Sequence, residues 1–230
     1  MTDLIRCSRR TLLALAMGCV LVRGVIPSHA SQAPRLPTVQ PLPPLFTVRT
    51  LTQDLRRIQT FVARFKERVT NPALKSHVHH AGRVWIERPN RFRWLYETPS
   101  REVITADGHA IWIYDVTLEQ VTVRPMAPSL GATPAMLLAG RQPLNRLFRI
   151  EILPPRQGLE RARLEPLTRH GEFRKIDIGL RDGIPVVMTL WDRLGEKTRI
   201  QFSAIRINHP IHPQRFHFVP PRGVAVIGHP

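Results

Sequence analysis

The sequence is poor in residues that carry out covalent chemistry. Of its 230 residues only two are cysteine, Cys7 and Cys19, both near the start. The rest of the chain therefore has neither a disulfide framework nor a thiol nucleophile, and must be held together by apolar burial. No Gly-x-Ser-x-Gly elbow and no glycine-rich phosphate loop occurs, which removes the commonest signatures of hydrolases and nucleotide-binding enzymes. Acidic residues are scarce, 17 Asp and Glu against 34 Lys and Arg. Glu87, Glu97, Asp107, Asp115 and Glu119 stand singly beside arginines or in turns, so no carboxylate pair offers itself for acid and base roles. Ten histidines are present. The densest cluster, "HVHH" at 77–80, has no flanking Cys or carboxylate, and His209 and His212 lie in a proline-broken loop; zinc asks for three or four suitably spaced ligands. These absences argue against an enzyme and against a resident metal or cofactor.

Long apolar runs are missing too. The longest, "TLLALAMGCVLV" at 11–22, falls short of the roughly 20 residues of a membrane-spanning helix. It follows Arg6, Arg9 and Arg10 and precedes the small residues "SHA" at 28–30, the layout of a cleavable export signal cut after Ala30. "SRRTLL" also resembles a twin-arginine signal, and "LAMGC" approaches a lipoprotein acylation box, with Ala16 where that box has Leu. Residues 31–45 hold five prolines and no periodicity, hence an extended or flexible lead-in. The surplus of +17 favours anionic partners. Nucleic acid is the least accessible of these to an exported protein, and the basic residues are scattered along strands rather than gathered in a block.

What is abundant is alternation. From about Leu45 to Arg68, Leu51, Leu55, Ile58, Val62 and Phe65 recur at spacings of three and four, which predicts one amphipathic helix. Beyond Val69 the period becomes two. Strands are expected at 82–87, 91–97, 101–105, 110–115 and 119–124, then at 147–153, 159–165, 173–180, 184–191, 197–207 and 216–219, with turn signals at "RPN", "TPS", "ADG" and Asp182-Gly183. Phe92, Trp94 and Tyr96 share one face of their strand, and Arg91 and Arg93 the other. In "AIWIYD" at 110–115 both parities are apolar, so that strand is covered on both faces. Between the two sets of strands, "TPAMLLAG" suggests a short helix with Thr133 as N-cap, Pro134 in its first turn and Gly140 as its stop. Its residues Ala135 to Ala139 are apolar all round, so it must be a plug or lid. The reading is mainly β with an α lid: about eleven antiparallel strands in one strongly curved sheet or half-open barrel, helices on its concave side. Such a surface suits an apolar ligand.

Several stretches match one family in order. "GRVWIERPNRFRWLYETPSREVITADGHAIWIYDVTLEQVTV" resembles the outer-membrane lipoprotein carrier protein family, LolA: Trp85, Arg88, Pro89, Phe92 and Trp94 carry its "W-x-x-R-P-x-x-F-x-W" pattern, and Asp107, Gly108, Trp112, Tyr114 and Gln120 the next strand pair. "TPAMLLAG" and "FHFVPPRGVAVI" at 216–227 continue the match. The resemblance covers roughly 48–227. It implies an unclosed eleven-stranded barrel (LolA/LolB-like) in a single carrier domain, 46–230, acting as a periplasmic chaperone that holds lipoprotein acyl chains. Its partners would be an inner-membrane ABC exporter and an outer-membrane acceptor, LolB or an equivalent, with no nucleic acid and a monomeric state. Arg88 would latch the lid through its carbonyls. Trp85, Phe92, Trp94, Tyr96, Trp112, Met136, Leu137 and Leu138 would line the acyl-chain cavity.

Two other tasks fit the same fold: a membrane-anchored acceptor like LolB, favoured if Cys19 is acylated, and a lipid-sensing periplasmic regulator. From a different class, an adaptor β-domain with a filled core would take up no fatty-acid probe.

Overall fold

The computed structural model describes residues 45–126, 134–168 and 172–230; the expected export signal, nearly all of the proline-rich lead-in and Thr133 lie outside them. The chain enters through α1 (Val48–Arg57). Thr47 and Thr50 cap it reciprocally, each side-chain hydroxyl accepting from the other's backbone N–H, at 3.2 and 2.7 Å, which satisfies two of the donors a helix start leaves open. Leu51 and Leu55 are its buried residues.

The helix ends at Arg57, about eleven residues earlier than the periodicity predicts. Asn208, far along the chain, donates from Nδ2 to the Arg57 carbonyl at 3.0 Å and accepts the Gln59 N–H on Oδ1 at 2.8 Å. Past this point the segment is β1 (Thr60–Asn71), with Phe61, Ala63 and Phe65 buried and Arg64 and Lys66 exposed. Val62 and Phe65 thus belong to opposite faces of a strand, not to one helical stripe.

The remaining strands are β2 (Ser76–Glu87), β3 (Arg91–Thr98), β4 (Glu102–Asp107), β5 (Ala110–Asp115), β6 (Gln120–Pro125), β7 (Phe148–Arg156), β8 (Leu159–Pro166), β9 (Phe173–Arg181), β10 (Ile184–Asp192), β11 (Lys197–Ile207) and β12 (Ala225–Gly228). They form one 12-stranded sheet in the order β12-β6-β5-β4-β3-β2-β1-β11-β10-β9-β8-β7. Every pairing is antiparallel except β12 on β6. The outermost strands, β12 and β7, do not pair with each other, so the sheet is unclosed. The expected strand at 216–219 does not form: a 3₁₀ turn occupies Pro213–Phe216 and the last strand comes later.

Cross-strand partners share a face, so the register sorts the side chains. On the inner face run Phe61, Ile86, Phe92, Ala106 and Ile111, then Ala63, Val84, Trp94, Ile104 and Ile113. These residues join α1 and α2 (Pro134–Ala139) in one apolar core. The outer face of the same strands is also covered. The chain after β11 crosses it: Phe216 is buried there, and Phe218 lies 5.8 Å from the ring of Trp112 and 5.9 Å from Tyr114. This strap supplies the second cover that "AIWIYD" requires.

Candidate functional site

The site begins with the aromatic ladder of β3. Phe92 and Trp94 are essentially fully buried, and Tyr96 is half-buried against the same core. Phe65 of β1 packs on both neighbours, 4.7 Å from Trp94 and edge-on at 5.2 Å from Tyr96. That approach needs Gly82 beside it: a Cβ there would fall 1.9 Å from the Leu95 carbonyl oxygen, at a break in the β2–β3 register.

Over this ladder lies α2. Ala135, Met136, Leu137, Leu138 and Ala139 are all buried in the cluster that holds Phe92 and Trp94. Two bonds tie its C-terminal end to the β2–β3 turn. The Asn90 N–H donates to the Ala139 carbonyl at 2.9 Å, and the Arg88 guanidinium donates through Nη1 to the Gly140 carbonyl at 3.0 Å. Arg88 faces no carboxylate in these contacts, and its Nε is buried without a partner. Burial, and then the nearby charge of Arg56, push its pKa down. The bond to Gly140 is therefore charge-assisted but poorly supported, stronger than a neutral hydrogen bond and weaker than a buried ion pair.

Two residues expected on this surface lie on the other side. The register sets Trp85, Arg93, Thr105 and Trp112 in one row on the outer face. Arg83 and Arg215 lie over the Trp85 ring at 5.5 and 4.8 Å. Trp112 donates from Nε1 to Asp107 Oδ2 at 3.2 Å. Burial alone would raise the pKa of Asp107, but the N–H groups of Ala110 and His109 and the Trp112 indole outweigh it and hold the carboxyl below its usual range. Nor is the outer side of β3 simply wet, since Arg91 lies 5.7 Å over the buried Phe216 ring.

One residue of the inner face is hidden when 45–68 is read as a single helix. Glu67 continues the Phe61-Ala63-Phe65 parity of β1 and is buried. It accepts from the Tyr96 hydroxyl at 3.3 Å and pairs across the strands with His80. Burial foremost pushes its pKa up to about 7, with Glu102 and Glu196 adding and the Tyr96 bond opposing. The alternation that predicts Phe92, Trp94 and Tyr96 would have placed Glu67 inside, had β1 been read as a strand. Among the described residues no group of three or more His, Cys, Asp or Glu is placed to hold a metal.

Comparison with known proteins decides the family. The profile described as "Outer membrane lipoprotein carrier protein LolA" matches residues 56–219. The chain belongs to the LolA family. An outer-membrane lipoprotein carrier protein of Methylibium petroleiphilum is 36% identical over 180 residues, spanning 78% of this chain and 88% of the relative. That of Methylococcus capsulatus is 35% identical over 197 residues, 86% of this chain and 90% of the relative. Among solved structures, a LolA superfamily protein of Nitrosomonas europaea aligns with 76% of this chain and 99% of its own at 12% identity and a TM-score of 0.47. In this LolA-family chain the matched region contains β1 to β11, α2 and Arg88.

Proposed function

We infer that this chain is a periplasmic lipoprotein carrier that takes acyl chains onto the inner face beneath α2. The observation that carries this reading is the Arg88 bond to Gly140 at the end of a helix whose apolar side chains are buried against Phe92 and Trp94. A structural plug has no need of a half-satisfied, half-buried guanidinium as its fastening. A lid does, because the fastening must yield.

Acyl chains are held in a membrane by about 0.8 kcal/mol per CH₂, so a lipoprotein leaves only for an equivalent apolar surface. In the closed state that surface is taken up by Met136, Leu137 and Leu138. Cargo displaces them and the lid swings away, breaking the bond from Arg88 at a cost on the order of 1.5–3 kcal/mol. The same cost, regained on closure, helps to expel the cargo at the acceptor. Trp94 and Phe92 form the floor and Tyr96 one side; Trp85 and Trp112, on the outer face, take no part. The protein is exported by the signal at 1–30, works as a monomer, and receives lipoproteins from an inner-membrane ABC exporter for an outer-membrane acceptor of the LolB type.

Replacing Arg88 by Leu removes the latch and shifts the lid toward opening by about ten- to a hundredfold. In a reconstituted transfer assay Arg88→Leu should accumulate as a soluble complex with an acylated lipoprotein and pass less of it to the acceptor. Failure of the unaltered protein to keep any acylated lipoprotein in solution sinks the carrier reading; transfer by Arg88→Leu equal to that of the unaltered protein sinks the latch.

A further inference from the structure

The turns of the sheet fall on two rims that differ in one respect. One rim collects the β2–β3, β4–β5, β7–β8 and β9–β10 turns. Their residues are Arg88-Pro89-Asn90, Gly108-His109, Gln157-Gly158 and Asp182-Gly183, and none is a large exposed apolar residue. The opposite rim collects the turns after β1, β3, β5, β8 and β10. Four of these five carry one leucine each: Leu74, Leu118, Leu167 and Leu194, with 73, 68, 55 and 91% of their surface exposed.

The leucines are held out, not left loose. The N–H of Leu74 donates to Asn71 Oδ1 at 3.1 Å, that of Leu118 to Asp115 Oδ1 at 3.0 Å and that of Leu194 to Asp192 Oδ1 at 2.9 Å. The Leu167 N–H donates to the Leu147 carbonyl at 2.9 Å. At each of these four leucines the backbone N–H is bonded while the side chain is given to solvent. In strand order the row runs Leu118, Leu74, Leu194, Leu167; neighbouring turns lie about two strands or roughly 10 Å apart, and the leucine-free β3–β4 turn makes the interval from Leu118 to Leu74 twice that. The two middle hairpins touch, for a Cβ on Gly195 would lie 3.8 Å from Pro72.

We propose that this leucine-tipped rim is the edge by which the protein settles on a phospholipid bilayer. Single leucines on separate hairpins make no continuous groove for a protein partner, whereas a bilayer accepts apolar side chains anywhere along one line of contact. The polar neighbours suit its headgroup layer. Trp191, two residues into β10 from its turn, has Lys175 at 4.3 Å and Lys197 at 5.7 Å from its ring. Lys75 and Arg101 stand on neighbouring turns of the same rim. Tryptophan and lysine at this depth are the usual company of an interfacial anchor, and these cations, in a chain of net charge +17, complement anionic headgroups. Docking of this kind needs no cargo, so it stands apart from the carrier reading.

The test is co-sedimentation of the purified protein with sucrose-loaded vesicles of phosphatidylethanolamine and phosphatidylglycerol, no lipoprotein present. The protein should pellet with them, and less so when phosphatidylcholine replaces phosphatidylglycerol. The double variant Leu74→Ser/Leu194→Ser should lower the partition coefficient at least tenfold at an unchanged melting temperature, while Gln157→Ser on the other rim should not alter it. The proposal is overturned if the unaltered protein stays in the supernatant or if the leucine variant pellets equally. It is overturned also if that variant loses only delivery to a protein acceptor, which would assign the rim to a protein partner.

Discussion

Replacing Glu67 by Gln should change how stability depends on pH. The carboxyl is buried on the inner face, and its pKa stands near 7 against 4.5 for the free side chain. Between those values the folded protein keeps a proton that the unfolded chain has lost, so Glu67 makes stability fall as pH rises from about 4.5 to about 7, with no further change above. At 1.36 kcal/mol per pKa unit the full effect is about 3 kcal/mol. Glutamine is neutral throughout, and its amide oxygen can still accept from the Tyr96 hydroxyl. Glu67→Gln should therefore match the unaltered protein at pH 4.5 and exceed it by up to about 3 kcal/mol at pH 8. Glu102, raised by burial and by Asp115, acts in the same direction. His80, lowered by burial and by His79, acts oppositely below pH 6.5. Both remain in the variant, so the difference between the two proteins isolates Glu67. Urea unfolding followed by tryptophan fluorescence at pH 4.5, 6 and 8 measures it. A difference that stays constant with pH, or a variant less stable at pH 8, refutes the reasoning.

Other perturbations probe the frame of the site. Gly82→Ala drives a Cβ into the Leu95 carbonyl and should cost several kcal/mol, seen as a lower urea midpoint. Phe92→Ala opens a cavity at a fully buried position, at about 3–5 kcal/mol in the same assay. Asn208→Ala orphans the Gln59 N–H and the Arg57 carbonyl; both are exposed to water, so a loss of only about 1 kcal/mol is expected, with faster hydrogen exchange confined to the end of α1 and the start of β1.

Much of this arrangement was legible in the chain, and the failures have physical causes. Alternation marks most of β3 and β11, and an apolar hexamer before Gly140 marks α2, because there local pattern and tertiary cover agree. Residues 51–65 satisfy two periods at once: Leu51, Leu55, Ile58, Val62 and Phe65 suit a helix, yet Phe61, Ala63 and Phe65 suit a strand. The choice between them falls to Asn208, which no local window contains. The resemblance implies Trp85 and Trp112 on the inner face, where the register does not put them, and the pattern could not correct this for a related reason. Alternation tells inside from outside only when one face is wet, and here the segment around Phe216 and Phe218 covers the outer face. The doubly apolar "AIWIYD" demanded such a cover; assigning 216–219 to a strand hid the segment that provides it. Arg88 could be picked out only through family resemblance, since an arginine before a proline in a turn ordinarily points to water.

An unclosed barrel has two strand edges, each a template on which another chain could pair and begin a fibre. Here they are blunted differently. On one side the outermost strand is the parallel β12, only four residues long, from Ala225 opposite Gln120 to Gly228 opposite Val123, and so short an edge is a poor template. The β7 edge breaks register with β8 between Leu153 and Arg156, across Pro154 and Pro155, which have no N–H to offer a further strand. A sheet can thus stay open to guests without inviting copies of itself, and recruitment by strand addition is discouraged on both sides.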